Sequence, residues 1–293
     1  MFTFLIPAGF ARPIDSVLLV DIAQSGKRLI AVGENGVIFI SDDGASSWQE
    51  VKSPVDQLLT SVSFSNDKTV WATGHGGVIL KSEDKGNTWR IVRQQIQDDT
   101  PIFDLIFLDD KTGFAVGAYG LLLKTIDAGQ SWQKVKTDYD WHLYSLARLN
   151  STQAAVVGEN HVIALLNKNS DLVDLSETIK SGSLFDVAAI DQHRILVAGL
   201  GGFAYLISLQ GKILKTLPLP DADAIQSILL LDDTRVVLAG AGGSLFLGNI
   251  KTKDVTKISS GISGSINKLF KVSGSVIALT SRGIHRFERG TFQ

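Results

Sequence analysis

Cysteine is absent from this 293-residue chain, which removes disulfides, thiolate nucleophiles and cysteine-ligated zinc or iron–sulfur centres together. Long apolar runs are missing too: none approaches the roughly 20 residues that cross a bilayer as a helix, so no direct membrane insertion is expected. Neither sign of charge dominates. With 28 Lys and Arg against 30 Asp and Glu, the formal net charge of −2 offers no broad basic field for a phosphate backbone, and nucleic acid is not expected as a partner. Methionine occurs once. What is abundant is glycine, 28 residues, beside an apolar set dominated by Val, Ile and Leu, as turn-rich β-sheet chains require. Residues 2–11 are apolar but lack a basic leading segment and include Pro7 and Gly9, so they do not resemble an export signal. Either the protein stays in the cytosol or a leader preceded this sequence.

A repeat organises the rest. One signature recurs as Val32-Gly33-Glu34-Asn35-Gly36, Thr73-Gly74-His75-Gly76-Gly77, Val116-Gly117-Ala118-Tyr119-Gly120, Val157-Gly158-Glu159-Asn160-His161, Ala198-Gly199-Leu200-Gly201-Gly202 and Ala239-Gly240-Ala241-Gly242-Gly243, with a degenerate copy at Leu279-Thr280-Ser281-Arg282-Gly283. The second positions, 33, 74, 117, 158, 199, 240 and 280, step by 41, 43, 41, 41, 41 and 40. Within each unit an apolar strand, a polar turn, a second strand ending in the signature, a third apolar strand and a more polar fourth strand follow in order. In the third unit these are residues 102–108, 114–116, 121–124 and 132–135. Four short strands per repeat of about 40 residues predict an all-β, seven-bladed β-propeller with four-stranded antiparallel blades, one domain over residues 1–293. Glycines at both ends of the second-to-third turn fit a tight hairpin with positive φ. The last unit runs out soon after Phe287, so residues 2–6 are expected to supply its outer strand and close the ring.

A second signature lies between third and fourth strands of the first three units: Ser41-Asp42-Asp43-Gly44-Ala45-Ser46-Ser47-Trp48, Ser82-Glu83-Asp84-Lys85-Gly86-Asn87-Thr88-Trp89 and Thr125-Ile126-Asp127-Ala128-Gly129-Gln130-Ser131-Trp132. It resembles the Asp-box, or BNR, repeat. The second and third copies match at every fixed position, whereas the first has Ala45 where the pattern has glycine. Asp and Ser oxygens at this spacing can cap backbone N–H groups of a hairpin, glycine supplies positive φ, and Trp can pack on the neighbouring blade. The boxes are therefore read as structural. Together with the Gly signature at about 41-residue spacing, they resemble the propellers related to the photosystem II stability and assembly factor, over nearly the whole chain and most strongly from Asp21 to Val135. That resemblance implies a non-enzymatic scaffold acting on membrane complexes, exported to a thylakoid lumen or periplasm. A cytosolic location stays open.

Enzyme patterns fail one by one. Asp-boxes also occur in sialidases, which carry an arginine in an N-terminal Phe-Arg-Ile-Pro motif; this chain has Phe4-Leu5-Ile6-Pro7, and Leu5 cannot bind a carboxylate. Gly199-Leu200-Gly201-Gly202-Phe203-Ala204 mimics a dinucleotide fingerprint, but its glycines belong to the repeat and no crossover helix follows. The five histidines show no metal-ligand spacing, although His75 and His161 fall in equivalent turns. No catalytic residue, metal site or cofactor is expected.

In a propeller the second-to-third turns share one face with the loops leading into the next inner strand, and function collects on such loops. Blades three and four concentrate aromatic and acidic groups there. The expected binding set is Tyr139, Trp141, His142, Tyr119, His75, Asp98 and Asp99, with Tyr139 and Trp141 as anchors for a protein partner, an envelope or membrane complex. A carbohydrate-binding or glycoside-processing propeller is the alternative. A last column, Asp21, Ser61, Asp104, Ser145, Asp186, Ser227 and Asn267, begins the inner strands in equivalent register. It is expected to cap inner-strand backbone, with cation binding the lesser alternative.

Overall fold

The computed structural model describes residues 12–95, 99–169, 171–180, 182–288 and 290–292. The second strand of each repeat is its most apolar segment because both of its faces are covered. Val70–Gly74, Gly113–Gly117 and the last five residues of Arg28–Gly33, Gln153–Gly158 and Arg194–Gly199 are all buried. Outer strands such as Gln49–Val51 and Leu172–Asp174 touch solvent on one side and read as polar.

Six sheets have four antiparallel strands in sequence order, and a seventh, Ile266–Val272, Ser275–Thr280 and Gly283–Arg286, has three among the described residues. Each pair of successive blades encloses one apolar cluster, and Leu19, Leu29 and Phe39 of blade one share another with Val272, Ile277 and Leu279 of blade seven. The core is thus a ring of seven inter-blade layers, and the fold is the seven-bladed β-propeller that the repeat predicts. The closing strand expected at residues 2–6 lies outside the described residues. Within those residues blade seven meets blade one through Asn267 Nδ2 donating to the Leu19 carbonyl at 2.8 Å and the Gly283 amide donating to Val17 at 2.9 Å.

Two local features set up the site. The second-to-third turn carries its left-handed residues in the middle, for example Tyr119 at φ 54° and Gly120 at φ 66°. The glycine that opens the turn is not left-handed, contrary to expectation: Gly33 is extended at φ −174°, and a Cβ there would lie 1.9 Å from the Leu18 carbonyl oxygen. Close approach of the inner-strand backbone, rather than φ, demands glycine at that position. Second, every inner strand is bulged after its first residue, so that Leu19 pairs with Gly33 but Asp21 with Val32, and Ile102 pairs with Gly117 but Asp104 with Val116. The same shift occurs in the other five blades.

Candidate functional site: the channel mouth and its rim

The second-to-third turns bond to the residue just ahead of each inner strand, as in His75 N to Leu58 O at 3.0 Å and Glu159 N to His142 O at 2.8 Å. Those turns and the inner-strand starts therefore share one face. The Asp-box turns bond instead to the first-to-second turns, through Lys85 N to Lys68 O and Ala128 N to Lys111 O, on the opposite face.

At the inner-strand starts a polar belt joins blade to blade. The Asp21 carboxylate accepts from Val62 N at 2.8 Å, Asp104 from Leu146 N at 2.7 Å and Asp186 from Ile228 N at 2.7 Å. Ser61 donates its hydroxyl to Asp104 at 2.8 Å, Ser145 donates to Asp186 at 3.0 Å, and Ser227 Oγ accepts from Leu269 N at 2.9 Å. Backbone capping, the expected role of this column, is what Asp21, Asp104, Asp186 and Ser227 do, whereas Ser61 and Ser145 bond the carboxylates of Asp104 and Asp186 instead. The register corrects one member. The equivalent of Asp104 in blade seven is Lys268, paired with Leu279, and Asn267 is that blade's bulge residue, equivalent to Phe103. Lys268 Nζ lies 4.0 Å from Asp21 Oδ1, and the charges of Asp186, Asp21 and Asp104 hold its ammonium protonated to higher pH than an ordinary lysine. Burial, reinforced by the charge of Asp21, pushes Asp104 up to about 6, and burial raises Asp21 against the pull of Lys268.

The bulge residues form a second ring in front of the belt: Val20, Thr60, Phe103, Tyr144, Phe185, Gln226 and Asn267. They are all half-buried. With the belt they line a cavity of about 340 Å³ at the channel mouth. Its wall from blade three to blade five is aromatic. Phe103 and Tyr144 lie 5.5 Å apart between ring centroids, Tyr144 and Phe185 5.3 Å, and His142 stands 5.9 Å from both Phe103 and Tyr144. Tyr119 continues the arc onto the rim, edge-on to His142 at 4.9 Å. The His142 ring is fixed because its Nδ1 accepts from Tyr119 N at 3.1 Å, which leaves Nε2 to carry the proton of the neutral ring.

Of the predicted binding residues, the structure brings Tyr119, Trp141 and His142 together. Tyr119 is 71 % exposed and Trp141 46 %, and Gly120 N donates to the Trp141 carbonyl at 2.9 Å. Tyr139 points elsewhere. Its ring packs against the cluster between blades three and four, and burial with the nearby Asp174 carboxylate pushes its hydroxyl up to about 12. His75 and Asp99 are both exposed beside the blade-two turn, whereas Asp98 lies outside the described residues. His75 and His161 do not occupy matching positions: His75 opens its turn, and His161 ends its own in the left-handed region at φ 54°. Phe103, Tyr144, Phe185 and Lys268 were not expected.

The Asp-boxes cap their own hairpins. In the second, Asp84 accepts from Ser82 Oγ at 2.7 Å and from Thr88 through both its amide at 2.9 Å and its hydroxyl at 2.7 Å, while Gly86 N donates to Ser82 Oγ at 2.8 Å. The third repeats this with Thr125, Asp127, Gly129 and Ser131. The first keeps the bonds of Ser41, Asp43 and Ser47 with Ala45 in the glycine place at φ 65°. Trp48, Trp89 and Trp132 pack on blades seven, one and two respectively. A Cβ on Gly129 would lie 2.0 Å from the Trp71 ring, so the box turn is pressed against the preceding blade.

Ring and boxes define a BNR-type β-propeller. Residues 11–95 match the family model for photosynthesis system II assembly factor YCF48. No curated protein matches the chain. Among solved structures, YCF48 bound to D1 peptide is similar at TM-score 0.78 and 18 % identity, covering 93 % of both chains. YCF48 from Cyanidioschyzon merolae matches at 0.73 and 17 % identity, covering 92 % of this chain and 94 % of that one. The WD40 β-propeller domain of Doa1 reaches 0.76 at 15 % identity, covering 94 % and 95 %.

Proposed function

We propose that this chain is a non-enzymatic binding scaffold that holds an extended segment of a partner protein across the loop face of blades three to five, over the channel mouth. The observation that carries this reading is the unbroken aromatic arc from exposed Tyr119 through His142 to Phe103, Tyr144 and Phe185. Rigid aromatic groups on a preorganised surface supply contact area at small entropic cost. The match to an assembly-factor family and the likeness to a YCF48 structure that holds a D1 peptide support a protein ligand. Membrane complexes as partners, and a periplasmic or lumenal location, belong to the proposal and rest on the family resemblance.

A glycan is the second ligand class for the mouth, since ring faces and carboxylates meet there. Glycoside chemistry needs two carboxylates free to face the scissile bond. Here both oxygens of Asp104 and of Asp186 are spent on the belt. The deciding experiment is affinity capture of solubilised envelope proteins on wild type and on a Tyr119→Ala/Trp141→Ala variant with unchanged melting temperature. One membrane protein retained by wild type and lost by the variant supports the scaffold. Equal recovery on both removes the loop face from the mechanism, and selective binding to a glycan array would replace protein by carbohydrate.

A further inference from the structure

The mouth has a charge and a size that narrow what can enter it. Asp21, Asp104 and Asp186 surround it with three carboxylates against the single ammonium of Lys268, so negative charge predominates. One side of the same cavity is formed by the rings of Phe103, Tyr144 and Phe185, whose faces carry negative potential. Ring faces beside surplus carboxylate favour a guest that brings positive charge. The cavity, about 340 Å³, is a recess of side-chain dimensions at the surface of the loop face. It suits one long side chain.

We propose that the channel mouth receives a single basic side chain, arginine or lysine, from the partner segment, held against the Phe103–Tyr144–Phe185 wall above the carboxylate belt. This rests on the preceding reading of the loop face as a protein-binding surface. An acidic side chain would meet like charge, and an apolar one would cover the charged belt without offsetting its charge.

Two measurements on the full chain separate this inference from the reading beneath it. In the first, N-acetyl-arginine amide, N-acetyl-lysine amide, N-acetyl-norleucine amide and N-acetyl-glutamate amide are titrated while ring resonances of Tyr144 and Phe103 are followed by NMR. Saturable shifts are expected with the two basic probes, at least tenfold weaker binding with norleucine and none with glutamate. Phe103→Leu, which keeps apolar bulk but loses the ring face, should weaken the arginine probe at least fivefold, and Asp104→Asn should also weaken it. Norleucine binding as tightly as arginine, or no saturable shift with either basic probe, overturns the inference. In the second, ten-residue peptides displayed on phage are selected on the protein. Enriched peptides with a basic residue at one fixed position, whose replacement by norleucine matters far less on Phe103→Leu than on wild type, support the proposal. Enriched peptides without one overturn it while the protein-binding reading stands. No enrichment removes that reading, and the amide titration still decides whether the mouth takes a cation.

Discussion

The carboxylate of Asp186 in blade five accepts the backbone amide of Ile228 in blade six at 2.7 Å, across 42 positions of sequence. The same carboxylate takes the Ser145 hydroxyl at 3.0 Å and the Val187 amide at 3.0 Å, so one side chain ties blades four, five and six. Removing it strands three donors in a buried setting, each worth about 1–3 kcal/mol when unpaired. Asp186→Ala should therefore lower stability by about 3 kcal/mol or more in urea unfolding, with Asp186→Asn intermediate because it keeps an acceptor. A loss below about 1 kcal/mol would show that the belt is not a structural element.

The boxes give a prediction of opposite signs. Trp89 fills the space between blades one and two and donates to Gly86 O at 2.9 Å, so Trp89→Ala should cost about 3–5 kcal/mol. Ala45 holds a left-handed conformation at φ 65°, which costs an alanine about 1 kcal/mol relative to glycine. Ala45→Gly should raise stability by up to that amount. Thermal unfolding of both variants checks the pair.

Asp104 sets a dependence on pH. Its folded value, about 6, lies above its ordinary 3.8, so between these values the folded chain keeps a proton that the unfolded chain has released. Stability from this group consequently falls as pH rises from about 4 to about 6 and then levels off. Asp21 acts in the same direction. Asp127 opposes them. The Ser131 hydroxyl and amide lower it to about 2, so its stabilisation is present above about 4 and is lost as pH falls toward 2. Asp104→Asn should show a smaller drop in melting temperature between about pH 4.5 and about pH 7 than wild type. Parallel curves for the two proteins would assign the titration to another group.

Gly129 reports how tightly the box face is packed. Its φ of 72° and the 2.0 Å approach of the Trp71 ring leave no room for a side chain. Gly129→Val should destabilise by several kcal/mol and alter near-ultraviolet circular dichroism of Trp71. A variant that melts like wild type would contradict the close contact.

The ring of seven blades and the capping role of the boxes were legible in the sequence because both are spelled by residue type at fixed spacing. Gly33, Gly74 and Gly117 mark the repeat even though close backbone approach, not φ, explains them. The aromatic wall was not legible. A regular strand sends neighbouring residues to opposite faces, whereas the bulge puts Phe103 and Asp104, or Tyr144 and Ser145, at the same channel mouth. Lys268 escaped notice because the first hairpin of blade seven is one residue shorter than those of blades two to six, so counting back from the signature lands on Asn267. Tyr139 and Trp141 are adjacent in type and spacing, yet one ring turns inward between blades and the other outward, a choice made by tertiary packing.

The contact between Asn267 and Leu19 spans 248 positions and the Lys268–Asp21 pair crosses the same seam, whereas the belt links between the other blades span 41 to 43. Six of the seven seams can thus form from neighbouring sequence, and the remaining one must bring the two extremities of the chain together. For a flexible chain that last step carries an added loop-closure cost of about 1.5 kcal/mol over a local seam. The seam between blades seven and one is accordingly where the closed circle would first open under load or heat, so an unfolding intermediate of this molecule should be an open arc of intact blades.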